Sequence, residues 1–153
     1  MIVETIKDIV ENELTQKCTF IYAPEFEANV LTDTEQSETG WYFIYAPPIE
    51  VTDTIGNQRE YHTNLPFVAL ICKYLENPTI DYKEVEIQAY IDQAREIGRN
   101  FVHKLSYNAL IDSSVENPIQ SARYVSIKGS YDSHLFGVEL TCDVAIYEGK
   151  TGC

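Results

Sequence analysis

A run of apolar residues at helical spacing between about residues 82 and 106 constrains the fold more than any other feature. They recur every three or four residues, as on the buried face of a long helix: Ile87, Tyr90, Ile91, Ala94, Ile97, Gly98, Phe101, Val102 and Leu105. Asp81 and Glu84 have the spacing of a capping box at its start. Since Gly98 weakens a helix by about 1 kcal/mol relative to alanine, its place in the stripe predicts a close approach to a sheet.

Three earlier segments have the two-residue period of strands. The first runs from about residue 18 to 30 and is expected to bend or bulge at Pro24, and the second covers 41–46. The apolar run 65–72 suits a strand buried on both faces, although a helical stripe from 65 to 75 also fits it. We favour the strand.

The end of the chain has the pattern of a β-hairpin, with strands at 123–129 and 135–147. The buried face of the last strand is expected to hold Val138, Leu140, Cys142, Val144 and Ile146. Residues 2–14 form an amphipathic helical pattern at the other end. The sequence therefore predicts an α+β fold: a mainly antiparallel sheet of about five strands packed against one long helix, plus an N-terminal amphipathic helix.

Length and charge limit the classes of partner. The 153 residues suit a single domain, 1–153, with a flexible C-terminal tail from about 148 to 153. A net charge of -13 disfavours binding to nucleic acid or anionic lipid. No apolar run approaches the roughly 18 residues of a membrane span, so a membrane partner is not expected.

No motif for catalysis, a cofactor or a metal is found. The four cysteines and three histidines have none of the short spacings of a zinc site. Residues 132–134, Asp-Ser-His, have the residue types of a catalytic triad but adjoin one another in a turn. We therefore predict no catalytic, cofactor-binding or metal-binding residue, no cofactor, and a protein that is not an enzyme.

The order of elements resembles the small neck and tail-end proteins of tailed bacteriophages, the tail-terminator, tail-completion or head-to-tail joining family. Three segments carry the resemblance: Tyr42 to Ile49, the run from Phe67 to Cys72 that leads through Asp81-Tyr82 into the long helix, and Leu135 to Leu140. The long first strand and the repeated Phe-Ile-Tyr-Ala-Pro, at 20–24 and 43–47, depart from the family's usual pattern. Terminator and other collar ring both stay open.

The resemblance implies a structural virion protein, made in the host bacterial cytoplasm. It implies a homo-oligomeric ring, of six or twelve copies, in the neck or at the head-proximal end of the tail. The partners would be other copies of the chain, the portal or connector, and tail proteins. Genome DNA would pass through the lumen without specific binding, since an acidic lining repels it. A cytoplasmic adaptor or inhibitor-type protein that binds one partner through its sheet is the alternative, and a small enzyme is a third.

Three polar segments are expected to contact partners: the loop 32–40, the loop 52–64 and the hairpin tip 130–134. Aromatic residues are enriched at protein interfaces, and the predicted interface residues are Trp41, Tyr42, Tyr45, Tyr61, Tyr131, His134 and Glu139. The predicted acidic lumen or rim consists of Glu25, Glu27, Glu35, Glu38, Glu50 and Asp53.

Overall fold

A computed structural model describes residues 2–22, 40–48, 50–74, 84–130 and 135–150. These residues form two helical elements and six strands. Helix α1 (Ile2–Asp8) continues into a π-helical turn, Ile9–Glu13, and α2 is Glu84–Ser106. The strands are β1 (Thr19–Tyr22), β2 (Trp41–Ala46), β3 (Thr52–Ile55), β4 (Glu60–Tyr74), β5 (Ile119–Ser130) and β6 (Leu135–Lys150).

The strands form one mixed sheet in the order β1-β2-β4-β6-β5, with β3 also paired to β4. All pairs are antiparallel except β1 with β2. The predicted α+β class is confirmed, with one strand more than the expected five. Of the strand predicted at about 18–30, the structure describes β1, Thr19–Tyr22. The bend predicted at Pro24 lies outside the described residues.

The additional strand corrects the prediction of a loop at 52–64. Thr52–Ile55 pairs with residues 61–64 of β4, so this segment is a β-hairpin. The Gly56 amide donates to the Glu60 carbonyl at 2.8 Å, and Arg59 adopts a positive φ of 62° in the turn. All four β3 residues are exposed. Because the strand has no buried face, its sequence lacks the alternation of apolar and polar residues that predicts a strand.

Strand β4 organises the sheet. Its first half pairs with β3, its second half pairs with β2, and its whole length pairs with β6, from Glu60 opposite Lys150 to Tyr74 opposite Leu135. The run 65–72 is therefore a strand, as favoured, and not a helix. Its second half is buried on both faces, because Ala69 and Ile71 belong to the main core while Leu70 and Cys72 belong to a smaller cluster.

The main core lies between the sheet and the two helical elements. The aromatic rings of Phe43, Phe67 and Phe101 meet at its centre, with centroids 4.7 to 6.4 Å apart. A Cβ on Gly98 would lie only 2.6 Å from the Tyr124 ring. The close approach predicted for Gly98 is confirmed. The capping role predicted for Asp81 lies outside the described residues.

The N-terminal helix is also confirmed, since Ile6, Ile9, Val10 and Leu14 are all buried in the main core. It ends in a π-helical turn, which is wider than an α-helical one. The Leu14 amide bonds to the Ile9 carbonyl, five residues back, at 3.2 Å.

Strand β6 has the predicted buried face, including Cys142 at 5% exposure. It extends to Lys150 because Gly149 and Lys150 pair with Tyr61 and Glu60. This corrects the start of the predicted flexible tail, since 148–150 is strand, and the remaining 151–153 lie outside the described residues.

Candidate functional site

A hydrogen-bonded cluster of charged side chains lies on β4 and the segment that follows α2. His62 Nδ1 lies 2.5 Å from Oδ2 of Asp112, and His62 Nε2 lies 3.4 Å from Oε1 of Glu60. The other oxygen of Asp112 accepts hydrogen bonds from the Ser114 amide at 3.0 Å and the Ser114 hydroxyl at 2.5 Å. Asp112 is only 1% exposed. A buried carboxylate of this kind is stable only when its oxygens are bonded, as they are here.

Backbone hydrogen bonds hold Asp112 in place. Its amide donates to the Ala145 carbonyl at 2.9 Å, and the Ala145 amide donates to the Pro118 carbonyl at 2.7 Å. The Tyr147 amide donates to the Leu110 carbonyl at 3.0 Å. The segment 110–118 therefore lies along β6 in line with β5, on the side opposite β4. His62 reaches across β6 to this segment.

The cluster favours a charged imidazole beside charged carboxylates. The hydrogen bond to Asp112, and then that to Glu60, raises the pKa of His62 above its usual value of 6.5. Burial raises the pKa of Asp112, but the bonds from Ser114 and His62 outweigh it and hold this pKa below its usual 3.8. The backbone amide of Glu60 itself lowers the pKa of that carboxyl, with a smaller contribution from His62. The imidazolium of His62 thus favours the ionised form of both carboxyls, and both carboxylates favour the imidazolium.

A cavity of about 310 Å³ opens beside the cluster. Its described lining is mostly polar: Thr54, His62, Thr63, Asn64, Asp112, Val115, Asn117, Pro118, Gln120, Asp143 and Ala145. This lining includes no cysteine, lysine, arginine or serine, and the described residues hold no group of three side chains placed to bind a metal. His62 and Asp112 have the geometry of a base and its orienting carboxylate, but Nε2 of this imidazole already faces Glu60. The arrangement joins segment 110–118 to the sheet.

A second feature is a partly exposed region of the sheet on the face away from α2, as far as the structure describes the chain. In the register of β4, β6 and β5, Val68 is opposite Thr141, Thr141 is opposite Arg123, and Glu139 is opposite Val125. We call this region the open face: Pro66, Val68, Arg123, Val125, Glu139 and Thr141, all exposed or half-buried. Val125 is 46% exposed. With Pro66 and Val68 of β4, it places several apolar side chains on this otherwise polar face, as on a contact surface.

The structure separates the predicted interface residues into three groups. Glu139 lies on the open face, and Tyr61 is half-buried on β4. Trp41, Tyr42 and Tyr45 lie inside the subunit at 3, 3 and 0% exposure, which corrects their placement on the surface. Strand β2 lies between β1 and β4, and its alternate side chains enter the main core and the smaller cluster. Tyr131 and His134 lie outside the described residues.

The predicted acidic residues are divided in a similar way. Glu50 and Asp53 are exposed beside and within β3, and Asp53 accepts a hydrogen bond from the Thr63 hydroxyl at 2.6 Å. Glu25, Glu27, Glu35 and Glu38 lie outside the described residues, as do the loop 32–39, the tip 131–134 and the Asp-Ser-His turn. Their roles stay predictions.

The His62 cluster was not predicted from the sequence. The sequence predicts a loop at His62, and Asp112 lies fifty residues further along the chain. The only local signal is Asp112-Ser-Ser114, a spacing at which an aspartate side chain bonds the backbone two residues on. This signal places a turn but does not indicate a histidine partner.

No protein-family model matches this sequence, and a comparison with curated proteins finds no relative. None of the described helices combines the length and apolar character needed to cross a membrane.

Proposed function

We propose that the protein is a structural component of a tailed-phage virion, which forms a homo-oligomeric ring in the neck or at the head-proximal end of the tail. The ring joins the portal or connector to the tail and lets DNA pass through its lumen. The observation that carries this proposal is the open face, where Val125 of β5 is exposed and Val68 of the central strand β4 is half-buried. The net charge of -13 supports a lumen along which DNA slides without binding.

Exposed apolar side chains are also concentrated at one end of the sheet. Val51, just before β3, is 49% exposed, and Ile55, the last residue of β3, is 62% exposed. Tyr147 of β6 is 38% exposed at the same end. Together with the open face, they give the subunit more than one uncovered contact region. A subunit of a ring that also stacks on portal and tail needs several such regions, whereas an adaptor with one partner needs one.

The test is assembly of the purified protein. We expect rings of uniform diameter by light scattering behind size exclusion and by negative-stain microscopy, and stacking of these rings on purified portal or tail-tube protein. A chain that stays monomeric and engages neither protein would overturn the proposal. A stoichiometric complex with one soluble partner would instead establish the adaptor.

Two valine substitutions provide a matched pair for this test. Val125→Lys places a charge on the open face, and Val85→Lys places the same charge at the start of α2, where valine is 72% exposed. We expect Val125→Lys to weaken ring formation or stacking and Val85→Lys to leave both unchanged. Equal behaviour of the two variants would remove the open face from the proposal.

A further inference from the structure

Among the described strands, three have one unpaired edge: β1 and β3 on one side of the sheet, and β5 on the other. Of these, β5 pairs only with β6 and β3 pairs only with β4. Both strands are largely exposed, β3 at all four residues and β5 at most positions from Ser121 to Lys128. Such edges present free backbone donors and acceptors, which makes them templates for another strand.

The edge strand β5 carries positive charge. The sequence 119–130 contains Arg123 and Lys128 and no acidic residue. Both cations are exposed, and neither forms an ion pair within the part of the chain that the structure describes. This strand therefore has the opposite charge to the chain as a whole, whose net charge is -13.

The edge formed by β3 carries the opposite charge. The sequence 50–55 contains Glu50 and Asp53, both exposed, and no basic residue. Arg59, in the turn of this hairpin, already takes part in another interaction. Val51 and Ile55 add exposed apolar surface to this edge, as Val125 does to β5. The two edges therefore complement each other in charge and in apolar character.

We propose that β5 of one copy docks along β3 of the next copy, with Arg123 and Lys128 facing Glu50 and Asp53. Charges on an edge strand normally prevent pairing with an arbitrary strand. Here the same charges favour one particular partner edge, because opposite charges attract and like charges repel across an interface. The two contacting surfaces differ, so the contact is head-to-tail and repeats into a ring or a filament. This inference rests on the proposed function for its partner, a second copy of the chain.

The test uses two charge-reversed full-length chains. One carries Arg123→Glu with Lys128→Glu, and the other carries Glu50→Lys with Asp53→Lys. Each alone presents like charges on both edges, so we expect its self-association to be about a hundredfold weaker than that of the wild type. In an equimolar mixture, each contact between unlike chains presents opposite charges, and we expect particles in which the two chains alternate.

The control for total charge is Lys7→Glu with Lys104→Glu, two exposed positions on α1 and α2. It changes the net charge as much as the β5 variant does and should assemble normally. Light scattering measures assembly, and circular dichroism with thermal unfolding establishes that each variant is folded. Assembly should also weaken as salt rises, since exposed charges are screened.

The outcomes separate this inference from the proposed function. If the wild type assembles and both reversed chains assemble equally well, or the mixture does not recover, the edge contact is wrong while the ring stands. If the reversed chains fail to assemble alone and the mixture assembles, but the assemblies never bind portal or tail protein, the edge contact stands and the virion role is wrong. A wild-type chain that stays monomeric at every concentration overturns both.

Discussion

The imidazole of His62 joins two parts of the chain fifty residues apart, with Nδ1 2.5 Å from Oδ2 of Asp112. The bond connects β4 to the segment that runs along the opposite side of β6. We expect Asp112→Ala to lower the free energy of unfolding by about 2 to 3 kcal/mol, because His62 and both donors of Ser114 lose their acceptor. Urea denaturation followed by circular dichroism measures this change.

Asp143→Ala is the matched control for this substitution. Asp143 lines the same cavity but is exposed, so its loss should change the free energy of unfolding by less than about 0.5 kcal/mol. Equal effects at Asp112 and Asp143 would mean that the His62 cluster contributes little to stability.

The stability of the protein should depend on the charge of His62. The pKa of His62 is raised in the folded state, so its contribution is complete below pH 6.5 and disappears as pH rises through the raised pKa. The lowered pKa of Asp112 makes the contribution of its carboxylate complete above pH 3.8 and lost as pH falls through the lowered pKa. The pair therefore stabilises the fold most between these two values.

Urea denaturation at pH 5.5 and pH 8.5 tests this dependence in the wild type and in His62→Gln. The variant should lose less stability than the wild type over this interval, because it has no imidazolium to deprotonate. The same loss in both proteins would show that other groups cause the dependence.

Gly137 is expected to tolerate no side chain. It lies opposite Cys72 in the register of β4 and β6, and a Cβ there would meet the backbone of Ile71 and Cys72, 2.8 Å from the Cys72 Cα. Backbone in the middle of a sheet cannot move aside, so Gly137→Ala should destabilise the fold by about 3 kcal/mol.

Gly98→Ala is the comparison for Gly137→Ala. Its Cβ would meet only side chains, of Tyr124 and Ile71, and the helix gains about 1 kcal/mol from alanine. We expect its midpoint of thermal unfolding to stay much closer to that of the wild type. The reverse order of the two variants would contradict the strand register.

The hydroxyl of Tyr45 is buried without a hydrogen-bond partner among the described residues. Burial, with a smaller effect from Tyr22, raises its pKa to about 12. Tyr45→Phe removes an unsatisfied polar atom and keeps the ring stacked on Phe67, so it should stabilise the fold by up to about 1 kcal/mol. Tyr107→Phe, at a position 80% exposed, should change nothing. Calorimetry distinguishes these results, and a destabilised Tyr45→Phe would indicate a bonded hydroxyl.

Sequence patterns predicted the elements with one buried face. Helix α2 and strand β6 each bury one side, so burial left a regular period in the sequence. Strand β3 buries no side chain, so its sequence has no apolar period and predicts a loop. Strand β2 buries both faces, and its aromatic residues were therefore indistinguishable from those of a contact surface. The hydrogen bond between His62 and Asp112 joins two segments fifty residues apart in sequence, and no local sequence pattern predicts such a contact.

The long β4 strand has a consequence for how the protein folds. β4 ends at Tyr74, and the strand that pairs with its whole length begins only at Leu135. During synthesis the apolar residues from Phe67 to Cys72 stay unpaired on that side until β6 leaves the ribosome. Contacts so far apart in sequence make folding slow and expose an aggregation-prone edge in the interval. We expect ribosome-bound chains that stop before Leu135 to be engaged by chaperones, and folding to begin only when β6 arrives.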